Sequence, residues 1–360
     1  MQERAQRERL VCLIAGRNFG DNIIWSDLLR ELVAAGYAQS YVVWTRPQTA
    51  CMYQGIDDCE IVCSSFPVGT NKQFGVRQLG RFLSAAARIR ARRPTVTLDF
   101  VGDFRERIFA RLVGGRHLRI GWQAEHPHSR LIRNPFGPGK SLVTVPAEIP
   151  NAYVGYRLMM GALLPSLGSE PSSRQRFDLS TRPRGPLRVA LHPLASQAYS
   201  RWPAERWIDL TDRLLRSGAL VTAFGAPAER AQLQGMFASC AGKVAVFAGS
   251  IEDFAAEVAK QDLLIGLNSF AVHMAHSRGI PSIMINAGND PRIWGPPSCT
   301  VLASAGGCPT YPCFNAPRCV GSDHQYACIN SVSATQVFEA AMGMSSLASG
   351  RGERQGIRIG

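Results

Sequence analysis

The sequence predicts an α/β protein built from two Rossmann-like domains, and three observations support this. Short apolar runs alternate with helix-like segments from residue 10 onward. The alternation stops in residues 165–186, which are rich in Pro, Ser, Gly and Arg, and it restarts at residue 187. Alternating strands and helices favour parallel sheets covered by helices, and 360 residues are enough for two domains.

The N-terminal domain, residues 1–170, begins with an apolar strand at 10–15. A turn over 16–21 leads to an amphipathic helix over 23–35 and a strand over 40–45. Residues 76–92 predict a basic helix, residues 95–100 a strand, and residues 108–113 a short helix that ends at two glycines. We place a linker at residues 171–186.

The C-terminal domain, residues 187–332, repeats the pattern. We predict strands at 187–192, 219–224, 244–247, 263–265 and 282–285. Predicted helices lie at 204–217, 228–240 and 250–260, and a further helix leads from the loop at 266–269 through residue 278. A closing helix at 333–344 precedes a tail, residues 345–360, which is small, polar and charged and is expected to be disordered.

Composition is typical of a soluble globular protein, with 46% hydrophobic and 19% charged residues. No apolar run is long enough for a transmembrane helix, and the charged N-terminal residues do not resemble a secretion signal. We therefore expect a cytoplasmic protein.

The net charge is +13 and only four of the 40 basic residues are lysines. Arginine binds phosphate and carboxylate bidentately, which favours an anionic partner, although genome composition explains the bias equally well.

Ligands of such domains bind beyond the carboxyl ends of the strands, so we expect the site in the cleft between domains. The first loop there is 16–21, where glycines permit a tight turn before a helix N-terminus that attracts anions. Asp21 follows, either as a cap of the helix or as a general base that projects into the cleft.

Two further loops fit the same position in the second domain. The loop after residue 224 contains Gly225 and Glu229, and Glu229 either accepts hydrogen bonds from ribose or stabilises the first helical turn. The loop over 266–269 leads to His273. Asn268 or Ser269 can cap that helix, which leaves backbone N–H groups for a phosphate. His273 is either a further donor to that anion or a buried structural histidine.

These motifs together resemble the heptosyltransferase-type glycosyltransferases, family 9 of the GT-B fold. The stretches that carry the resemblance are Phe19-Gly20-Asp21-Asn22-Ile23-Ile24, residues 116–121, His192-Pro193, Ser200-Arg201-Trp202-Pro203, residues 224–230, residues 268–275, Asp290-Pro291 and Gly295-Pro296. They span residues 10–342, which is nearly the whole chain. Each motif is weak alone, but their order and spacing are fairly specific.

The resemblance implies an inverting transfer of heptose from ADP-heptose to a lipopolysaccharide core or related acceptor. It makes Asp21 the catalytic base and Glu229 the acid that binds the nucleoside. The implied donor-binding residues are Ser196, Ser200, Arg201, Gly225, Glu229, Asn268, Ser269, Phe270 and His273, and the implied acceptor-binding residues are Asn18, Arg105 and Arg119. The partners are then a nucleotide-sugar donor, an anionic glycan or glycolipid, and peripherally the inner membrane. Nucleic acid is not expected as a partner, because aromatic residues do not interleave with the basic ones.

The chain departs from the family at two donor positions. The family usually has Asp-Ser/Thr-Gly where this chain has Asn268-Ser269-Phe270, and it has Lys where this chain has Ser200, followed here by Arg201. Two alternatives therefore stay open: an enzyme that uses another nucleotide sugar, and a divergent binding or scaffold protein without activity.

The sequence contains no Asp-x-Asp pair that could hold Mg²⁺. We therefore expect catalysis without a metal or other cofactor, with an ADP-sugar as the donor substrate.

Two groups of residues remain ambiguous. Cys308, Cys313, Cys319 and Cys328 are spaced more loosely than a typical zinc site, so a structural metal, disulfides and unmodified thiols are all considered.

Seven arginines crowd the first domain. They form either an acceptor-binding and membrane-facing surface or a solvated face: Arg105, Arg107, Arg111, Arg116, Arg119, Arg130 and Arg133.

Overall fold

The computed structural model describes residues 7–67, 74–122, 141–148, 151–169, 185–313 and 317–347. The chain divides into two compact units, Met1–Glu170 and Pro171–Gly360. Each unit contains one six-stranded sheet, and all strand pairs in both sheets are parallel. The predicted α/β class with two Rossmann-like units is confirmed.

The first unit has the strand order β3-β2-β1-β4-β5-β6. Its strands are β1 (Glu8–Ala15), β2 (Ala38–Thr45), β3 (Cys59–Cys63), β4 (Val96–Asp99), β5 (Arg116–Trp122) and β6 (Val143–Val145). Its helices are α1 (Phe19–Ala34), α2 (Val76–Ala91), α3 (Phe104–Val113) and α4 (Ala152–Leu163). The central strands β1 and β4 mark the point at which the winding of the sheet reverses, where open α/β sheets bind their ligands.

The second unit repeats this winding with the order β12-β11-β10-β7-β8-β9. Its strands are β7 (Arg188–His192), β8 (Leu220–Gly225), β9 (Val244–Ala248), β10 (Leu263–Leu267), β11 (Ser282–Ile285) and β12 (Cys299–Leu302). Its helices are α5 (Ala204–Arg216), α6 (Arg230–Met236), α7 (Ile251–Val258), α8 (Phe270–Ser277), α9 (Pro291–Trp294), α10 (Ala327–Asn330) and α11 (Ala334–Leu347). Here β7 and β10 form the central pair, so the loops after residues 192 and 267 lie at the reversal point.

An aromatic core fixes α2 and α3 on one face of the first sheet. The ring centroid of Trp44 in β2 lies 4.7 Å from that of Phe82 in α2, and the Phe82 centroid lies 5.1 Å from that of Phe109 in α3. All three side chains are buried. Aromatic pairs at such distances add to the hydrophobic contribution of burial, so both helices are held firmly against the sheet.

Several element boundaries differ from the sequence prediction. Helix α1 begins at Phe19, inside the predicted turn, and the predicted helix over 228–240 is a short helix with single 3₁₀ turns on each side. Pro227 opens the first of these turns, a position at which proline needs no N–H. Helix α11 continues to Leu347, so residues 345–347 are helical rather than part of a disordered tail.

Some elements were not predicted at all. Strands β3, β5, β6 and β12 and helix α4 fall in this group. Strands β6 and β12 lie at sheet edges, and their three or four residues, mostly half-buried or exposed, give little apolar periodicity. Within the described residues, no helix is both long and apolar enough to cross a membrane.

Candidate active site

Asp21 lies in the first turn of α1, directly beyond the carboxyl end of β1. Its carboxylate accepts a hydrogen bond from the backbone N–H of Asn18, the residue that precedes the helix. Burial raises the pKa of Asp21 from 3.8 to about 6, while the nearby Arg17 and Arg46 charges oppose the rise. The side chain is still partly exposed. The two hypotheses for Asp21, a helix cap and a proton acceptor, are therefore compatible.

The side chain of Asn22 holds the loop before Asp21 through hydrogen bonds. Its Nδ2 donates to the carbonyl oxygens of Arg17 at 3.1 Å and Asn18 at 2.8 Å. Its Oδ1 accepts from the hydroxyls of Thr45 at 3.2 Å and Tyr53 at 2.9 Å. The side chain is fully buried, so this network fixes the start of α1. Asn22 stands in the 19–24 motif, but no sequence pattern indicated this structural role.

Arg17 lies in the loop after β1, and its side chain pairs with carboxylates at the start of α3. Its Nη2 lies 2.6 Å from Asp103 Oδ2 and 2.6 Å from Glu106 Oε1. Burial and the neighbouring Asp103 raise the pKa of Glu106 well above its usual range. Burial works against ionisation of Asp103 as well, but hydrogen bonds with Glu106 and Arg105 and the Arg17 charge lower its pKa overall. The two shifts run in opposite directions, so ionisation within this pair favours Asp103, which faces both Arg17 and Arg105.

The predicted acceptor-binding residues lie near this cluster. Asn18 occupies the N-cap position of α1, although its side chain makes no capping hydrogen bond. Arg105 Nη2 is 2.5 Å from Asp103 Oδ2. Arg119 is buried and donates from Nη1 to the Gly102 carbonyl at 2.8 Å. Both arginines have partners within the unit, and their contact with an acceptor stays a prediction.

The predicted arginine surface is not one patch. Arg116 begins β5 and pairs with Glu8 at 2.9 Å, at the amino ends of the strands. Arg105 and Arg119 lie instead near the carboxyl end of β4. The amino ends of the parallel strands form one edge of the sheet and their carboxyl ends form the other. Arginines that are close in sequence therefore lie toward different edges. Arg130 and Arg133 lie outside the described residues.

In the second unit, His192 and Phe270 meet at the reversal point of the sheet. His192 ends β7, and its ring lies 5.2 Å from Phe270 and 5.7 Å from Phe254. Burial lowers the pKa of His192 to about 4, so the imidazole is neutral at pH 7. The Phe270 ring also lies 5.0 Å from Phe254. The aromatic side chain thus packs against its own unit at the start of α8.

The loop before α8 offers neutral hydrogen-bond donors. Ser269 occupies the N-cap position but makes no side-chain capping bond, and its hydroxyl has no partner among the described residues. Asn268 Nδ2 donates to Asn286 Oδ1 at 2.9 Å. His273 is buried, and its pKa is lowered by that burial to about 4. A histidine here can donate one N–H to an anion but brings no positive charge at neutral pH.

The remaining predicted donor residues lie after β7 and β8. Gly225 ends β8, and a Cβ at this position would lie 2.9 Å from Glu229 Oε2. Glu229 Oε2 accepts a hydrogen bond from the Ala226 N–H at 2.7 Å. Glu229 therefore stabilises the first helical turn, which is one of its two predicted roles. Ser196 lies between β7 and the 3₁₀ turn that ends at Ser200. The Arg201 side chain is exposed, and its Nε donates to the Ala195 carbonyl at 2.9 Å.

The family model of glycosyltransferase family 9 (heptosyltransferase) matches residues 87–322, well over half of the chain. The chain belongs to glycosyltransferase family 9. It is therefore a glycosyltransferase, and the resemblance predicted from the motifs is confirmed. None of the curated proteins matches it.

Solved structures of this family share the fold of this glycosyltransferase. A glycosyl transferase family 9 structure from Veillonella parvula is 18% identical, with a TM-score of 0.68 over 95% of this chain and 99% of that one. E. coli heptosyltransferase WaaC with ADP-2-deoxy-2-fluoro heptose is 15% identical, with a TM-score of 0.65 over 93% and 99%. E. coli ADP-heptose lps heptosyltransferase II is 14% identical, with a TM-score of 0.62 over 94% and 99%.

The late cysteines of this family 9 chain are thiols rather than disulfides. Burial raises the pKa of Cys328 to about 11, and the nearby Cys313, Cys308 and Cys319 add to the shift. The four side chains are thus neighbours. Even so, the described residues contain no group of three or more His, Cys, Asp or Glu arranged to hold a metal ion. The structure therefore gives no support to a structural metal at Cys308, Cys313, Cys319 and Cys328.

Proposed function

We propose that this glycosyltransferase moves heptose from ADP-heptose onto a lipopolysaccharide core or a related anionic glycan, with inversion at the anomeric carbon. Family membership supports the transferase chemistry. Two of the structural relatives are named as heptosyltransferases, and one of them holds an ADP-heptose analogue. The identity of donor and acceptor in this chain is part of the proposal.

In this mechanism Asp21 removes the proton from the acceptor hydroxyl. The hydroxyl oxygen forms a bond to the anomeric carbon while the bond from that carbon to the diphosphate oxygen breaks. The transition state resembles an oxocarbenium ion, as in glycoside hydrolysis. A base with a pKa of about 6 is ionised at pH 7 and still basic enough to accept a proton. Such assistance contributes on the order of 10²–10⁴-fold.

The second unit neutralises the departing nucleoside diphosphate. The backbone N–H groups in the first turn of α8, which have no partner within the helix, the Ser269 hydroxyl and a His273 N–H are neutral donors to its oxygens. Arg201 is exposed and supplies positive charge in place of the family's lysine. These donors and Arg201 together can stabilise the negative charge on the diphosphate. We therefore propose that the transfer reaction requires no metal ion. The second Glu229 oxygen accepts from the ribose beside Gly225, and we assign Ser196 and Ser200, which follow β7, to the same donor.

The observation that carries this proposal is the placement of Asp21, with its raised pKa, at the carboxyl end of β1 beside the reversal point. The direct test measures ADP release from ADP-heptose with a lipopolysaccharide-core acceptor, for the natural chain and for Asp21→Asn. We expect a loss of about 10²–10⁴-fold in kcat with little change in the Kd for ADP. Equal rates for the two proteins would remove Asp21 from the reaction.

A second candidate is transfer from a different nucleotide sugar, and Asn268 favours it. The Asn268 amide donates to Asn286, whereas the carboxylate that is usual in this family would be an acceptor for sugar hydroxyls. Calorimetry with ADP-heptose, ADP, UDP-sugars and GDP-sugars separates the two candidates. Tighter binding of a UDP- or GDP-sugar than of ADP-heptose would select the second.

A further inference from the structure

Two side-chain amides connect the loop before α8 to the turn after β11. Asn268 lies in that loop, one residue before the N-cap Ser269, and is half-buried. Asn286 directly follows β11 and is fully buried. Asn268 Nδ2 donates to Asn286 Oδ1 at 2.9 Å. Because β10 and β11 are neighbouring parallel strands, this bond joins two loops at the carboxyl edge of the second sheet.

Backbone carbonyl groups determine which way the Asn286 amide is turned. Its Nδ2 lies 3.0 Å from the Ala287 carbonyl oxygen and 2.7 Å from the Asn289 carbonyl oxygen. Carbonyl oxygens only accept hydrogen bonds, so the nitrogen of the amide has to face them and the oxygen faces Asn268. A donor is required opposite that oxygen. The nitrogen of the Asn268 amide is therefore turned toward Asn286, which leaves the oxygen of Asn268 for another partner.

The turn that contains Asn286 is itself held by backbone hydrogen bonds. The Asn286 N–H donates to the Leu302 carbonyl at 2.8 Å, which continues the pairing of β11 with β12. The Cys313 N–H donates to the Gly288 carbonyl at 2.7 Å. Rotation of the buried Asn286 amide would leave two carbonyl oxygens without their donor, which is costly away from water. The orientation of the Asn268 amide is therefore set by Asn286.

We infer that Asn286 is a positioning residue of the donor site, which makes Asn268 present a neutral carbonyl oxygen to a hydroxyl of the transferred sugar. Within the described residues, the side-chain hydrogen bond of Asn268 uses only its nitrogen. The N–H groups of α8 that follow are proposed to bind the diphosphate, and the sugar is bonded to that diphosphate. The inference rests on the proposed donor site of the second unit, but it depends neither on the identity of the nucleotide nor on Asp21.

An amide in this orientation suits a neutral hydroxyl. The Asn268 Oδ1 is an acceptor, so its partner has to be a donor such as a sugar O–H. Because the amide has no charge, it stabilises an ammonium group less than a carboxylate would. A carboxylate at position 268 would also place one of its oxygens opposite Asn286 Oδ1, where a donor is needed. Asn268 and Asn286 are therefore a matched pair, in which the buried amide determines what the half-buried one can bind.

The test compares, by calorimetry on the full-length protein, a nucleotide with the same nucleotide that carries its sugar. The pairs are ADP with ADP-heptose, UDP with UDP-glucose and GDP with GDP-mannose, and the sugar increment is the ratio of the two Kd values. The pair with the largest increment in the natural chain is used for the variants. Asn268→Ala and Asn286→Ala should each reduce the increment by roughly 3- to 10-fold and leave the Kd for the nucleotide unchanged. A merely structural role would weaken binding of the nucleotide as well.

A double-mutant cycle shows whether Asn286 acts through Asn268. The variant N268A/N286A should lose no more of the sugar increment than N268A alone, because both changes remove the same contact. Asn289→Ala is the matched control, since it removes an amide from the same turn but keeps the backbone carbonyl that accepts from Asn286. It should keep the natural increment. Additive losses in the cycle, or a loss in N289A as large as that in N286A, would overturn the inference.

Failure of this inference and failure of the proposed function give different results. Preference for the UDP or GDP pair, with an increment that still depends on Asn268 and Asn286, would overturn transfer from ADP-heptose and support the inference. An increment that N268A and N286A leave intact, or no increment in any pair, would overturn the inference. Thermal unfolding checks that each variant is folded. Should Asn286→Ala fail to fold, Asn286→Ser takes its place, because a serine hydroxyl can still donate to a neighbouring carbonyl.

Discussion

Replacing Asp21 with Asn should stabilise the protein at neutral pH and leave its stability at pH 4 nearly unchanged. The pKa of Asp21 in the fold, about 6, is higher than its ordinary value of 3.8. The fold therefore favours the protonated carboxyl. The stability that this preference provides is complete below pH 4 and is lost as the pH rises through about 6. Asparagine imitates the protonated form at every pH and keeps an oxygen that can accept from the Asn18 N–H.

The pKa shift sets the magnitude of this effect. A rise from 3.8 to about 6 corresponds to at most about 3 kcal/mol between the two protonation states. Because the carboxylate is partly exposed, solvent screening reduces the expected gain to roughly 1–2 kcal/mol. For a unit of this size, that gain raises the Tm by roughly 2–8 °C. The same variant should lose glycosyl transfer, so stability and activity change in opposite directions.

The assay is differential scanning calorimetry of both proteins at pH 4 and pH 8, with turnover measured in parallel. Asp57→Asn is the matched control, because it removes one negative charge from an exposed turn of the same unit. We expect the Tm difference between Asp21→Asn and the natural chain to grow from pH 4 to pH 8. A Tm difference that is the same at both pH values would refute the argument that burial raises the pKa of Asp21.

Three further predictions test the surroundings of this site and the chemistry. Arg17→Met should destabilise the protein by about 3 kcal/mol, since it leaves Asp103 and Glu106 buried without their shared cation. It should also move the rising limb of the pH–rate profile upward, because Arg17 lowers the pKa of Asp21; an unchanged limb in the folded variant would contradict this. Gly102→Ala should cost roughly 2–4 kcal/mol in urea unfolding, because φ is +78° and the new Cβ would lie 2.1 Å from the Ile120 carbonyl oxygen. Gly36→Ala is its control, with φ of +67° but open space around the Cβ, so an equal cost for both variants would show that the contact with Ile120 is unimportant. Dialysis against EDTA should leave the transfer rate unchanged, whereas loss of activity that Mg²⁺ restores would show that a metal neutralises the diphosphate.

Local patterns in the sequence were sufficient to predict where the strand-to-helix loops of the candidate site lie. An apolar run followed by glycine and a helical pattern marks the carboxyl end of a strand, and this located Asp21 and the loop before His273. The start of α3 could also have been found. Asp103 followed by Glu106 is the spacing typical of an N-terminal cap, and Asp103 does accept from the Arg105 N–H at 2.8 Å. The predicted start at residue 108 was late because those polar residues interrupt the apolar periodicity.

Contacts between distant segments could not be predicted in the same way. Arg17 meets Asp103 across 86 positions of sequence, and Asn22 meets Tyr53 across 31. No local periodicity encodes which of many arginines will be buried beside which carboxylates. The ionisation of Asp21 depends on the same contacts, because burial and Arg17 determine it together. A sequence shows that a carboxylate is present in the loop, but its pKa follows only from the packed surroundings.

The two units carry their polar groups in different electrostatic forms, and the proposed reaction explains why. The first unit buries charged groups, with Arg17 paired to Asp103 and with the pKa of Glu106 raised beside them. In the proposed reaction these fixed charges set the basicity of Asp21. At the reversal point of the second unit, burial instead keeps His192 and His273 neutral. Neutral donors and helix N–H groups can bind a diphosphate without the desolvation cost of a buried cation. The proposed reaction therefore assigns the remaining positive charge that such a leaving group requires to an exposed side chain, Arg201.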